Sequence, residues 1–176
     1  MSPRQLVGDR VPDRDRNAQG RAENARPRDR FGRPLPYGAI DEMADHADPE
    51  DVVSTVGEAL SRAAALFDAQ RFFEAHEFLE WIWKSREIDP GDRDYWKGVT
   101  QVAVGCAHTQ RGNATGALTL LRRSVAYMAP YPSPHQGVDR DALAAGAAGV
   151  VDQIEREGAH PGLAFPTFPR ARDGGG

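Results

Sequence analysis

The chain has 176 residues, room for one domain, and its 40% hydrophobic and 27% charged residues are those of a globular protein. No apolar run approaches the ~18 residues of a membrane span. The lone Cys106 excludes a disulfide framework and a multi-thiolate zinc site, and a net charge of −4 argues against binding nucleic acid mainly through charge.

Charge is unevenly placed. Residues 1–33 hold nine Arg and five acids, a balance of +4, which leaves −8 for the rest. Their larger apolar residues are only Leu6, Val7, Val11 and Phe31. Such a stretch buries too little to offset chain entropy, so a disordered, Arg-rich tail is expected over 1–47. It lacks the apolar core of a secretory signal and the Arg-Arg pair of a twin-arginine signal, and the expected location is cytoplasmic. The tail is the one part suited to weak contact with nucleic acid. No membrane partner is expected.

The helical domain is expected over 48–170, with a flexible end at 171–176. Asp48-Pro49-Glu50-Asp51 has the form of a helix start. Val52, Val53, Val56, Leu60, Ala63, Ala64 and Phe67 follow at helical spacing, which predicts a first helix over 49–69. A second is predicted over 71–86, then a turn at Ile88-Asp89-Pro90-Gly91-Asp92. A third spans 93–111, closed by Gly112-Asn113, and a fourth spans 114–128. Pro130, Pro132 and Pro134 force an irregular loop. A fifth helix, rich in Ala and Gly, covers 139–157, and Pro161 to Pro169 is extended. Nothing alternates with the period of a strand. The fold class is all-α: about five helices in a compact antiparallel array of hairpins, loosely like tetratricopeptide repeats, though ordinary helix pairs explain the faint 42-residue repeat better.

Eight of the fourteen aromatics fall between Phe67 and Trp96, which marks the second helix as the centre of the core. On a wheel with Phe72 at zero, Leu79 and Trp83 lie within about 20°, His76 near 40° and Glu80 near 80°. Both polar residues then belong to the buried side, at the i, i+4 spacing that lets them pair. Glu74, Glu77 and Lys84 point to solvent. Gly98, Gln101, Gly105 and His108 form one stripe of the third helix. Counting outward from the turn sets His76 against Gly105 and His108, and Glu80 against Gln101. Two histidines and a carboxylate suit a divalent metal, with His76, Glu80 and His108 as its ligands, or general acid–base work on a small molecule. A purely structural hydrogen-bond network explains the same residues. A zinc-peptidase motif is excluded, since Glu80 stands where a second His is required. The di-iron pattern is excluded because Phe73 stands where it requires Glu.

The stretch from Phe72 to Glu80, Phe-Phe-Glu-Ala-His-Glu-Phe-Leu-Glu, followed by Trp83, resembles the signature of the bacterial and archaeal DUF309 family, a domain of unknown function. Gln101-Val102-Ala103-Val104-Gly105 with His108, Arg111-Gly112-Asn113 and Gly116-Ala117 is similar to its second signature. The likeness spans about residues 55–130. It implies a small all-helical array and no established activity; His76, Glu77, Glu80, Trp83, Gln101 and His108, the residues of the expected polar pocket, match the family pattern at their own positions. The expected function is therefore a small-ligand or divalent-metal pocket. The alternative is a helical module that contacts another protein through its groove, its C-terminal Phe-Pro segment or an exposed Trp81.

Overall fold

The computed structural model describes residues 27–43 and 46–172. The described residues run through six helices: α1 (Pro49–Val52), α2 (Val56–Asp68), α3 (Phe72–Lys84), α4 (Arg93–Gln110), α5 (Ala114–Met128) and α6 (Arg140–Glu157), with a 3-10 turn at Pro90–Asp92 before α4. Among the described residues there are isolated bridges but no strands, so the all-α class is borne out. Five of the helices fall where hydrophobic spacing puts them.

The first predicted helix is broken. Val53 is extended, and the chain restarts at Thr55, whose side chain accepts the Glu58 amide at 3.2 Å. The Glu58 carboxylate in turn accepts the Ser54 amide at 2.8 Å. This is a variant of the capping box in the stretch Thr55-Val56-Gly57-Glu58, with Glu58 reaching back to the amide before the cap, and it overrides the apolar spacing that runs through Val52, Val53 and Val56.

α4 is the central layer. Val99, Val102, Ala103 and Cys106 are fully buried. The other side of α4 packs most extensively on α5. The glycine stripe makes that approach close. A Cβ on Gly98 would lie 2.9 Å from Met128 Cγ, and one on Gly105 would lie 2.6 Å from Leu121 Cγ. The glycines therefore thin the α4–α5 contact, not the α3–α4 contact expected for them.

After α5, the proline-rich loop is tied to the start of α4. The Asp92 carboxylate accepts His135 Nε2 at 2.8 Å and Gln136 Nε2 at 2.8 Å, and the Tyr95 hydroxyl donates to the His135 carbonyl at 3.0 Å. Beyond α6 the chain returns across α2. The Phe168 amide donates to Asp68 at 2.6 Å, and the Phe168 ring meets Phe67 edge-on at 5.5 Å. Phe165 packs at 5.0 Å from Phe72. Leu163 and Phe168 of the Phe-Pro segment are thus part of the core, while Ala164 and Thr167 stay exposed.

Residues 27–43 are a strap laid over α3 and α4, where a tail is expected from the sequence; residues 1–26 and 173–176 lie outside the described residues. The strap closes on itself. The Arg28 amide donates to Asp41 at 3.0 Å, and the Glu42 amide to the Arg28 carbonyl at 2.8 Å. It docks through backbone as much as through side chains. Gly32, in the left-handed region at φ 77°, sits so close to Phe73 that a Cβ there would fall 2.3 Å from the ring. The Arg28 and Arg111 guanidinium groups lie 5.1 and 5.5 Å from the Phe73 centroid. Arg111 Nε donates to the Phe31 carbonyl at 3.1 Å, and Arg33 donates to the Arg111 carbonyl at 2.9 Å. Met43 is buried.

Candidate functional site

Of the three α3 residues that the wheel turns to solvent, Lys84 is exposed, whereas Glu74 and Glu77 are covered beside the strap and by His46 just beyond it. Glu74 is buried and accepts Arg71 Nε at 2.6 Å. The Glu77 side chain is 15% exposed. His46, just beyond the strap and held by its amide to the Met43 carbonyl at 2.9 Å, places its ring among three carboxylates. Its Nε2 lies 3.0 Å from Glu77 and 3.7 Å from Asp48, and its Nδ1 lies 3.8 Å from Glu74. Asp48 precedes α1 but makes no side-chain capping bond, so its carboxylate is left for the imidazole. Among the described residues, His46, Asp48 and Glu77 are the group of three whose donor atoms all lie within 4.8 Å of one another.

Two atoms here are buried without a hydrogen bond: His46 Nδ1 and Glu77 Oε1. Burial pushes the Glu77 carboxyl up to about 7, against the opposing pull of His46. A cleft of about 440 Å³ opens beside it, lined by Asp48, Glu77, Glu80, Trp81 and Lys84 among others. A carboxylate with an unused buried oxygen, a second carboxylate and an imidazole form a hard, borderline-soft donor set open on one side.

The residues named from the sequence are dispersed. His76 Nε2 and Glu80 are 3.8 Å apart, a loose version of the expected pair. The His76 Nδ1 proton goes to the Phe73 carbonyl within α3, and Lys84 takes the other Glu80 oxygen. The Glu80 side chain is 37% exposed, at the rim and not in a buried pocket. His108 Nδ1 accepts Asn113 Nδ2 at 3.0 Å, at the start of α5, and Gln101 Oε1 is buried without a partner. Among the described residues no hydrogen bond or ion pair joins His76 or Glu80 to Gln101 or His108, and the donors that converge within 4.8 Å of one another are His46, Asp48 and Glu77. The reason is the wheel position of the stripe: Gly98, Gly105 and their neighbours face α5. Trp83 lies between Lys84 and Lys97, each 5.4 Å from its ring, and Trp81 is partly buried against the core. Of the six, Glu77 alone enters the clustered site. His46 and Asp48 carry no motif of their own. The signal available for them is a His two residues before a helix start, opposite a carboxylate.

Residues 60–120 match the family model described as "Domain of unknown function (DUF309)". A relative described as "Uncharacterized protein YpuF", from Bacillus subtilis (strain 168), is 36% identical over 107 residues. The match covers 57% of this chain and 59% of the relative, so the chain spans about three fifths of that protein's length. The resemblance read from the two signatures is borne out over the matched segment. That segment contains Glu77 but neither His46 nor Asp48.

Proposed function

We propose that this DUF309-related helical chain binds one divalent first-row metal ion through His46, Asp48 and Glu77. The observation that carries the reading is the convergence of three metal-competent donors from two separate chain segments, with a buried Glu77 oxygen left unpaired. The arrangement around the imidazole supports it. With Nε2 on the ion, the remaining N–H sits on Nδ1, the side on which Glu74 stands at 3.8 Å. A carboxylate behind a metal-bound histidine fixes the tautomer and raises ligand basicity. One imidazole and two carboxylates suit Mn²⁺, Fe²⁺ or Zn²⁺. The adjoining cleft leaves room for water or a small ligand on the open side.

The test is metal content and titration calorimetry on the full chain with Zn²⁺ and Mn²⁺. One ion per chain is expected in wild type, with loss of binding in His46→Ala and Glu77→Gln. Wild type that binds neither ion, or variants that bind as wild type does, would overturn the proposal. The protein-interaction reading has one observation in its favour, the exposed Tyr37 and Ile40 on the outer turn of the strap.

A further inference from the structure

The donor set is split between two parts of the molecule, which gives an ion a second task. Glu77 belongs to α3, inside the helical array. His46 and Asp48 belong to the chain that leads out of the strap. We infer that occupancy of this site by a divalent cation clasps the strap, residues 27–43, onto α3 through His46, so that the ion controls docking of the strap. The inference rests on the metal reading above and adds its regulatory consequence.

The strap is built to move as a unit. Internal hydrogen bonds run from the Arg28 amide to Asp41, from the Arg30 amide to Glu42 at 2.5 Å, and from the His46 amide to the Met43 carbonyl. Among the described residues it contains no helix before Pro49. Its purchase on the helices is small. Gly32 lies on the Phe73 ring, two guanidinium groups flank that ring, Arg33 and Phe31 bond to Arg111, and Met43 is buried. Beneath it lies a cleft of about 480 Å³, with Arg30, Phe31, Glu42 and Met43 on one wall and Gln70, Glu74 and Gln110 on the other. The clasp at His46 closes the chain at the strap's far end. An ion that requires His46, Asp48 and Glu77 together binds the docked form and not the undocked one. By linkage it favours docking by the factor by which docking favours the ion. Undocking the strap opens the cleft and uncovers Glu74 and Phe73.

The experiment uses the full chain and two readouts. Hydrogen exchange by mass spectrometry is followed over 27–43 with saturating Zn²⁺ or Mn²⁺ and with chelator. In parallel, Gly32→Val undocks the strap from Phe73 without touching a ligand, its helicity is checked by circular dichroism, and its ion affinity is measured. The expected result is exchange slowed on the order of tenfold or more over 27–43, beyond any change in α5 and α6, and ion affinity weakened by a similar factor in Gly32→Val. No slowing confined to 27–43 in an ion-bound wild type overturns the clasp and leaves the site standing, as does undiminished affinity in Gly32→Val. Failure of wild type to bind either ion overturns the site and the clasp together.

Discussion

Glu77→Gln distinguishes a carboxylate kept for a ligand from one kept for stability. With its carboxyl pushed from 4.5 to about 7, Glu77 stays protonated in the native state over a range where the unfolded chain has released the proton. The neutral form's contribution is intact below pH 4.5 and is lost as pH rises through 7, because ionisation then costs more in the folded protein than in the unfolded one. At about 1.36 kcal/mol per pH unit, the interval corresponds to roughly 3 kcal/mol. Gln keeps the shape and a hydrogen bond to His46 without that cost. In chelator, the variant should match wild type at pH 4.5 and exceed it by roughly 1–3 kcal/mol at pH 8, a gain of about 2–10 °C in Tm for a chain of this size. Urea titrations at the two pH values measure it, and the same variant should bind no metal. A Glu77→Gln chain that is less stable by the same amount at both values would show the carboxylate to be a structural ion-pair partner, and the reasoning from burial would fail.

Burial, against the hydrogen bond from its ring to the Phe73 carbonyl, holds His76 below the ordinary imidazole value of 6.5. Its contribution is therefore full above pH 6.5 and shrinks as pH falls below it. His76→Asn should narrow the difference in urea midpoint between pH 7.5 and pH 5, and an unchanged difference refutes this. Gly105→Ala should cost about 1–3 kcal/mol by urea denaturation, since its new Cβ meets Leu121, whereas Gly149→Ala in α6 meets nothing within 4 Å and should gain up to about 1 kcal/mol. The same sign at both positions would refute the assignment of the glycine stripe to the α5 contact. Phe168→Ala should lose about 3 kcal/mol in the same assay, because its ring is buried against Phe67, and a loss under about 1 would show the C-terminal segment to be loosely held.

The helices were legible because their signals are local. Apolar spacing, Asp-Pro and Pro-Gly turns and the Asn113 cap each act within a few residues. The break after Val52 was equally local, in Thr55 and Glu58, but the valine spacing spoke louder. The site was not legible, for a reason peculiar to the strap. A wheel assigns a helix face to solvent when the rest of that helix accounts for the core, and Glu74 and Glu77 are covered by a segment that carries little apolar area. Hydrophobicity counts look for large side chains, while this segment docks by a glycine backbone pressed on Phe73 between two arginines. Register between α3 and α4 fixed the level of His76 against His108 but not the rotation of α4, and rotation decides whether Gln101 and His108 look at α3 or α5.

The interruption at Val53 and Ser54 has a geometric consequence for the donors. An unbroken helix from 49 to 69 would place Asp48 about 12 Å beyond Val56 along the α2 axis, at 1.5 Å per residue. Extended backbone at Val53 and Thr55 instead lets the chain turn, so that Pro49–Val52 lies against α3 and brings Asp48 to the imidazole opposite Glu77. The Thr55 and Glu58 hydrogen bonds are thus an elbow. They set the reach of one carboxylate from seven to ten residues away, without touching it.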